Sequence, residues 1–383
     1  MALDADTLKQ LLDTVEKFVE NRLRPLESKV GAEDMIPDDV IQDMRELGLF
    51  GLTIPEAYGG LGLNMSEEVA VARVFGHTSP AFRSIFGTNV GIGSQALIID
   101  GTEAQKQQYL PAMATGEIIG SFCLTEPDAG SDAASVRLTA KRDGTNYLLN
   151  GTKRYITNAP KAQLLTVFAR TNPEELGARG VSAFLVDAKS AGISMGQPYR
   201  KMGQQGTYVC DVMFDDVRVS ATQLVGGKEN VGFKTAMKVL DKGRLHISAL
   251  SVGIAERLIR DSVKYASERQ QFGKPIAEFQ LIQSMLARSQ TEMYAARCMV
   301  EDVARRRDQG ENVAALAAAC KLFATEMVGR VADNAVQIHG GAGYVEDYGI
   351  ERFYRDVRLF RIYEGTSEIQ QTVIAKDLLR QMG

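Results

Sequence analysis

One glutamate near the end of the chain has the neighbours that acid–base chemistry requires. Glu364 lies between the aromatic Tyr363 and Gly365, and the glycine lets another molecule approach the backbone closely. Thr366 is typical of a helix N-cap, and Glu368 falls in the first turn, where the helix dipole favours an acid. The following helix would therefore hold Glu364 at the edge of a loop, as a general base requires. A surface glutamate in a turn is the alternative reading.

Two stretches in the middle of the chain carry side chains suited to a flat, polar ligand. The loop with Thr125 and Ser131 offers hydroxyls and backbone N–H groups, which favour phosphate or the polar edge of a heterocycle. Tyr155 and Thr157 are two residues apart at the end of a strand-like run, so both point to one face. The ring would flank a flat cofactor while the hydroxyl bonds its edge. An ordinary turn, and a core tyrosine beside a strand-end threonine, are the alternatives.

Two helix ends in the last third of the chain are suited to a nucleotide. Arg269 follows a long helical segment, where a guanidinium either complements the helix C-terminus or forms a bidentate pair with a pyrophosphate. Gln337 precedes the double glycine Gly340-Gly341. Such a pair is either a helix C-cap or a place where a nucleotide approaches the backbone.

The composition is that of an ordinary globular protein and excludes several classes of function. The chain has 383 residues, of which 45% are hydrophobic and 24% charged, and its net charge of -4 argues against a nucleic-acid partner. No apolar run reaches the length of a membrane span, so no membrane partner is expected. Gly-x-Gly-x-x-Gly, phosphate-loop lysine and Gly-x-Ser-x-Gly motifs are missing, which leaves nicotinamide, nucleotide-hydrolase and serine-hydrolase functions without support.

The cysteines and the N-terminus indicate a cytoplasmic protein. Four cysteines and three histidines are scattered without metal or disulfide spacing, so we expect no metal site and a reducing compartment. The segment Met1–Val15 lacks the pattern of a secretory signal or a transit peptide.

The hydrophobic period changes twice along the chain. Apolar residues at three- and four-residue spacing predict helices throughout the first third. Short β-like runs follow from Gly120 to Val219, with the hairpin signals Asp143-Gly144 and Asn150-Gly151 between them. Long amphipathic helices joined by short loops then describe a bundle, at 233–266, 279–307, 312–338 and 366–380. We predict an α+β fold with an all-α domain (1–119), an antiparallel β-barrel domain (120–228) and a four-helix bundle (229–383).

In this order, the motifs resemble the acyl-CoA dehydrogenase family of flavoenzymes, over nearly the whole chain. The motifs are Thr125-Glu126-Pro127 with Ala129-Gly130-Ser131-Asp132, Tyr155-Ile156-Thr157-Asn158, Glu268-Arg269 with Phe272-Gly273, Gln337 with Gly340-Gly341, and Tyr363-Glu364-Gly365-Thr366. The resemblance implies a homotetramer with FAD partly at subunit interfaces, an acyl-CoA substrate and an electron-transfer flavoprotein as acceptor. It places the chain in the β-oxidation of fatty or dicarboxylic acids.

The resemblance also implies a role for particular residues. Thr125, Tyr155 and Thr157 are expected to contact the flavin ring, and Ser131 is expected near the CoA moiety. The cofactor-binding residues expected in this middle part of the chain are Phe122, Leu124, Thr125, Gly130, Ser131, Tyr155, Ile156 and Thr157. Those expected at the rest of the FAD molecule are Arg269, Gln271, Phe272, Gln280, Gln337, Gly340, Gly341, Thr366 and Glu368. Those expected at the substrate are Arg83, Ser131, Asp241, Arg244, Tyr363 and Gly365. Tyr155 stands where many members carry Trp, and Glu368 replaces a frequent Gln.

The mechanism implied by the resemblance gives Glu364 the role of catalytic base. It would take a proton α to the thioester carbonyl while the β-hydrogen leaves as hydride to flavin N5, giving a trans-2-enoyl-CoA. The carbonyl oxygen would be held by the backbone N–H of Glu364 and a ribityl hydroxyl, and burial would raise the pKa of the carboxyl. Some members carry the base on the first bundle helix, where this chain has Gly243.

The prediction of the substrate's acyl group rests on Phe82-Arg83-Ser84, which resembles the Tyr-Arg-Ser of glutaryl-CoA dehydrogenases. A guanidinium in the pocket would favour a carboxylate or sulfinate tail through a bidentate pair. A salt bridge to a nearby acid, or a solvated arginine, is the alternative. The related desulfinases lack the base glutamate, so Glu364 favours dehydrogenation, and subsequent decarboxylation stays open. A generic short- or medium-chain enzyme, an oxidase and a non-catalytic helical scaffold are the other readings.

Overall fold

The computed structural model describes residues 2–175 and 177–382. Side-chain caps start several helices of the first third. The Asp4 carboxylate accepts a hydrogen bond from the N–H of Thr7, and Asn64 forms a reciprocal capping box with Glu67. The helices are α1 (Ala5–Phe18), α2 (Glu27–Glu33), α3 (Asp38–Glu46), α4 (Met65–Phe75), α5 (Pro80–Thr88), α6 (Gln95–Asp100) and α7 (Glu103–Ala114). The prediction of an all-α first third is confirmed.

The middle of the chain forms one curled sheet of seven strands within the described residues. The strands are β1 (Gly120–Cys123), β2 (Thr139–Asp143), β3 (Asn146–Thr157), β4 (Leu164–Arg170), β5 (Val181–Asp187), β6 (Ile193–Met195) and β7 (Val209–Ser220). They follow the order β1-β4-β2-β3-β7-β6, with β5 on the other edge of β4. β4 and β5 are buried along almost their whole length, as their runs of apolar residues predict.

Three details of the sheet differ from the sequence prediction. Asp143-Gly144 does lead into a hairpin, but Asn150-Gly151 lies inside β3, where the register against β7 shifts and Gly151 takes a φ of 139°. The Asn150 amide pairs with Asp216 across the strands, so this dipeptide forms a β-bulge and no turn. β6 was not predicted, and β1 runs parallel to β4, with the β2–β3 hairpin between them in sequence.

The last third is the predicted bundle. Its long helices are α8 (Gly232–Glu268), α9 (Gln280–Asp308), α10 (Ala314–His339) and, after the short α11 (Gly341–Tyr344) and α12 (Ile350–Val357), α13 (Ser367–Met382). A small hairpin of β8 (Gln270–Gln271) and β9 (Lys274–Pro275) joins α8 to α9. α10 packs against α8, α9 and α13, so it lies at the centre of the bundle.

The two helical parts of the chain share one apolar core, although the sheet separates them in sequence. Phe75 of α4, Leu250 of α8 and Val328 of α10 belong to the same buried cluster. α4 and α8 cross closely, because Gly76 and Gly253 face each other. The bundle and the N-terminal helices therefore form a single support for whatever lies at the edge of the sheet.

No helix among the described residues is both long enough and apolar enough to cross a membrane.

Candidate active site

A groove of about 340 Å³ opens where the sheet meets the two helical parts of the chain. Helix α5, the ends of β1 and β3, the first turns of α8 and the loop before α13 all contribute to its walls. The site residues predicted from the sequence that line it are Arg83, Phe122, Leu124, Thr125, Gly130, Ser131, Tyr155, Ile156, Thr157, Arg244, Tyr363, Glu364 and Gly365. Segments nearly 300 residues apart in sequence thus form one surface.

The loop that carries Glu364 is held by three hydrogen bonds to its carbonyl groups. Glu364 itself has a positive φ of 56° and Gly365 one of 88°, so the chain turns sharply here. The Gln370 amide donates to the carbonyls of Glu364 (3.0 Å) and Gly365 (2.9 Å). The Nζ of Lys321, on α10, donates to the carbonyl of Gly365 at 2.7 Å. Thr366 caps α13 by accepting from the N–H of Ile369.

The surroundings of the Glu364 carboxylate favour its protonated form more than water does. Burial raises its pKa from the ordinary value, while the charges of Arg83 and Lys321 act in the opposite direction. Its Oε2 is buried and has no hydrogen-bond partner within the described part of the chain. A buried carboxylate oxygen without a donor is unusual in proteins and indicates a position that a ligand completes.

Gly243 of α8 lies directly against this carboxylate. A Cβ atom at Gly243 would lie 1.9 Å from Oε2 of Glu364, so any side chain there would displace the glutamate. The two positions considered for a base in the sequence therefore face the same point in space. With glycine at one of them, the other has room for its carboxylate.

Tyr155 and Thr157 line the groove because of a second bulge in β3. The register against β7 shifts between Lys153 and Ile156, and Tyr155 has a φ of 58°. The tyrosine ring remains 60% exposed, and it forms a wall of the groove. Asn158 fixes the strand end by donating from its side chain to the carbonyl of Ser84 on α5, at 2.9 Å.

The loop around Thr125 is held from below by a buried ion pair. The Nζ of Lys153, which is 0% exposed, lies 2.7 Å from Oε1 of Glu126 and donates to the carbonyl of Leu124 at 3.0 Å. The Glu126 carboxylate also accepts from the N–H groups of Arg137 and Leu138. Because both charges are satisfied, the loop holds a defined shape and presents Thr125 and Ser131 to the groove.

Arg83 is buried beneath the groove and anchored at one nitrogen. Its Nε donates to Nε2 of His246 at 2.8 Å. Among the described residues its hydrogen bonds to protein are confined to that nitrogen. It also lies within the electrostatic reach of Tyr363 and Glu364. The salt bridge to a nearby acid considered in the sequence is therefore replaced by a bond to a histidine.

Arg244 and Asp241 form an ion pair at the other side of the groove, with 2.5 Å between Nη1 and Oδ1. The guanidinium lines the groove, and its buried Nε lacks a hydrogen-bond partner within the described residues. Asp241 does not line the groove; it orients the arginine from behind.

A second cavity, of about 510 Å³, lies at the far end of α8 and contains Arg269, Gln271, Gly340 and Gly341. A Cβ atom at Gly340 or Gly341 would meet no described atom within 4 Å, so the backbone is open to a ligand. From Arg244 to Arg269 the helix is about 38 Å long at 1.5 Å per residue. A dinucleotide bound in the groove of one chain cannot reach the second cavity of the same chain.

Some predicted residues join neither cavity. They are Phe272, Gln280, Gln337, Asp241, Thr366 and Glu368. Phe272, at the tip of the β8–β9 hairpin, is 93% exposed, and Glu368 is exposed in the first turn of α13. Within one chain, these side chains do not contact the groove.

Other residues contribute to the site without having been predicted. Lys321, His246, Glu68 and Lys153 are buried charged or polar side chains that hold the loop of Glu364, Arg83 and the loop of Thr125. The one signal in the sequence was a polar residue inside an apolar helix or strand, such as Lys321 after Ala317-Ala318-Ala319-Cys320. Their partners are too distant in sequence to be read from such a signal.

The groove and the second cavity together fit the FAD that the motifs imply. Thr125 and Thr157 supply hydroxyls beside the exposed face of Tyr155, as the edge and plane of a flat ring require. The second cavity offers an arginine and an open glycine backbone, which suit a pyrophosphate and its nucleotide.

Family models match almost the entire chain. The model described as acyl-CoA dehydrogenase, N-terminal domain, matches residues 5–117, that of the middle domain residues 121–217, and that of the C-terminal domain residues 230–379.

Two curated relatives are similar over nine tenths or more of their length. The acryloyl-CoA reductase (NADH) of Anaerotignum propionicum is 42% identical over 380 residues, which are 99% of this chain and 95% of that protein. The caffeyl-CoA reductase-Etf complex subunit CarC of Acetobacterium woodii is 41% identical over 345 residues, 90% of each chain.

Solved structures share the fold. Butyryl-CoA dehydrogenase from Megasphaera elsdenii superposes with a TM-score of 0.94 and 33% identity, covering 99% of this chain and 100% of that one. A glutaryl-coenzyme A dehydrogenase in complex with glutaryl-CoA superposes with a TM-score of 0.92 and 33% identity, covering 99% and 96%.

Proposed function

This chain belongs to the acyl-CoA dehydrogenase family and is an FAD-dependent oxidoreductase of acyl-CoA thioesters, and we propose that Glu364 is its catalytic base. The observation that supports this role is the buried, unpartnered Oε2 of Glu364, a residue that lines a groove of suitable size. Glu364 would remove the α-proton of the thioester, and the new double bond would form as the β-hydrogen departs. FAD, when bound, supplies the acceptor for that hydrogen, which leaves as hydride.

The other groove residues would position the reactants. Thr125, Tyr155 and Thr157 would hold the ring system of the cofactor, and Arg244 would hold the nucleotide side of the substrate. The backbone N–H of Glu364 would donate to the thioester oxygen as it gains charge. Lys321 and Gln370 would fix that N–H by holding the adjacent carbonyls.

The test of the base is the Glu364→Gln variant. The amide keeps the shape but takes up no proton, so we expect FAD and acyl-CoA binding to persist while reduction of the flavin slows by at least about 10²–10⁴-fold. Anaerobic titration of the flavin absorbance with CoA thioesters measures this. The exposed Glu117→Gln variant serves as the matched control and should bleach like the wild type. Full activity of Glu364→Gln would refute the assignment.

We further propose an acyl group with an acidic tail, bound by Arg83. The support is a buried guanidinium in the wall of the groove whose hydrogen bonds to described protein atoms involve Nε alone. A carboxylate would pair with the two remaining nitrogens, whereas a plain alkyl tail would leave them unpaired. Dicarboxylic acid degradation would then be the context. The generic short- or medium-chain enzyme is the alternative.

Turnover of adipyl-CoA and hexanoyl-CoA separates these two readings, because the acyl chains have equal length and differ in the terminal carboxylate. We expect wild type to prefer adipyl-CoA. In Arg83→Ala the ratio of kcat/KM for adipyl-CoA over hexanoyl-CoA should fall by about tenfold or more, because a charged hydrogen-bonded pair is removed. Arg83→Lys is the control that keeps the charge. A preference for hexanoyl-CoA in both wild type and Arg83→Ala would contradict the proposal.

The direction and the electron acceptor are also proposals. The chain is similar to a subunit of a complex that contains Etf, so we propose an electron-transfer flavoprotein as partner. Both curated relatives described above are named as reductases or as part of one. The second candidate function is therefore the reverse reaction, in which the same residues reduce an enoyl-CoA. Peroxide formation under air would indicate an oxidase, and a colourless protein that takes up no FAD would indicate a scaffold. A cytoplasmic location is part of the same proposal.

A further inference from the structure

A row of three side chains, Glu68, Lys242 and His246, lies behind Arg83 and has no part in the mechanism described above. Nδ1 of His246 lies 2.9 Å from Oε1 of Glu68, and Nζ of Lys242 lies 3.0 Å from Oε2 of the same carboxylate. With the bond from Arg83 to His246, the row joins α4, α5 and α8. Taking charges out of water is costly even when they are paired, so packing and pairing alone do not explain the row.

The row determines which ring nitrogen of His246 carries the hydrogen. Glu68 is ionised, because Lys242 and His246 lower its pKa to about 2 although burial opposes this. The carboxylate therefore accepts the hydrogen of Nδ1, and Nε2 of His246 keeps its lone pair for the N–H of Arg83. Burial and the charge of Arg83 lower the pKa of His246 to about 4, so the ring is neutral at neutral pH.

Helix α5 provides the second constraint on Arg83. A Cβ atom at Gly87 would lie 2.3 Å from Nε of Arg83, and one at Gly91 would lie 3.7 Å from its Nη2. The arginine side chain thus lies flat along α5 and the helical turn that follows it, over Gly87 and Gly91. A side chain at position 87 would push it away.

We propose that His246 and Gly87 are positioning residues that determine acyl specificity by holding the Arg83 guanidinium in one orientation. With Nε engaged by His246, the edge formed by Nη1 and Nη2 is left for an anionic group on the acyl tail. A guanidinium held in this way loses little side-chain entropy when it binds a carboxylate, which strengthens the pair. This inference rests on the role proposed for Arg83.

The test compares variants that loosen Arg83 without removing it. His246→Leu removes the acceptor, His246→Gln offers an amide oxygen in its place, and Gly87→Ala disturbs Arg83 while leaving the row of charges intact. We expect His246→Leu and Gly87→Ala to lower the ratio of kcat/KM for adipyl-CoA over hexanoyl-CoA at least about tenfold. The loss should fall mainly on KM for adipyl-CoA, with hexanoyl-CoA turnover nearly unchanged and the ratio largely restored in His246→Gln.

The Arg83→Ala variant, measured beside them, separates two kinds of failure. An unchanged ratio in Arg83→Ala would refute the acidic-tail function itself. A collapsed ratio in Arg83→Ala with an unchanged one in His246→Leu and Gly87→Ala would overturn the positioning inference alone. Equal losses on both substrates would show a general structural role and would also overturn it. A crystal structure of Gly87→Ala gives a readout without substrate, because a guanidinium still in its original place would contradict the inference.

Discussion

The charge of Lys321 adjusts the base that it also helps to hold. The side chain is 0% exposed, and this burial lowers the pKa of Lys321 to about 8. The charge of Glu364 contributes most to keeping the lysine protonated. The ammonium in turn stabilises the ionised form of Glu364 against the effect of burial. One residue on α10 therefore influences both the geometry and the titration of the site.

We predict that Lys321→Met moves the acid limb of the kcat/KM profile to higher pH. Removing the cation destabilises the carboxylate, so the pKa of Glu364 rises and a larger share of the base is protonated at neutral pH. Activity at pH 7 should fall at least about threefold. Lys321→Arg keeps the charge and is the control. A limb that stays in place, or moves to lower pH, would show that the lysine has no electrostatic role.

At the scale of elements, the close crossing of α4 and α8 brings together the residues of the row behind Arg83. A Cβ atom at Gly253 would lie 1.9 Å from the carbonyl oxygen of Arg73, and one at Gly76 would lie 2.6 Å from the Cα of Gly253. The helices approach so closely because neither has a side chain at the crossing. That approach brings Glu68 of α4 within reach of His246 on α8.

We predict that Gly253→Ala lowers the free energy of unfolding by about 1–3 kcal/mol, since the methyl group forces the two helices apart. Chemical denaturation at a fixed concentration of FAD measures the effect. Gly329→Ala on α10 is the matched control, because its Cβ would lie no closer than 3.4 Å to the side chain of Arg361 and helix propensity favours alanine. Equal stability of the two variants would contradict a tight crossing.

At the scale of the whole molecule, the two cavities that we propose for FAD are too far apart within one chain to hold a single molecule of it. The second cavity lies at the opposite end of α8 from the groove. Phe272, in the β8–β9 hairpin, and Leu281, in the first turn of α9, are 93% and 81% exposed. Large apolar side chains in such positions usually pack against a partner. A second copy of the chain would cover them and complete the site.

We therefore expect the homotetramer predicted from the sequence, with FAD retention linked to assembly. Phe272→Ser should reduce both the molar mass measured by light scattering and the FAD content, because the subunit interface and the cofactor site share this hairpin. Met35→Ser, a change at an exposed apolar residue of the N-terminal helical part, is the control. A monomer that holds its full complement of FAD would contradict this expectation.

The sequence by itself determined most of the elements and their order, and it identified part of the residues that line the groove. Periodicity, caps and turns act over a few residues, so α8 was predicted at 233–266 and found at Gly232–Glu268. The motifs from Thr125 to Thr366 were sufficient to recognise the family. The division at 119/120 and 228/229 stays a prediction, and the shared core shows that the helical parts pack as one body.

The tertiary structure alone decided how those residues are held. Arg83 meets His246 across 163 positions, and His246 meets Glu68 across 178, so no local pattern connects them. The bulges at Gly151 and Tyr155 depend on the register with β7, and Asn150-Gly151 was read as a turn because its local chemistry is that of one. Burial of charge depends on distant partners, whereas secondary structure is largely encoded within each segment.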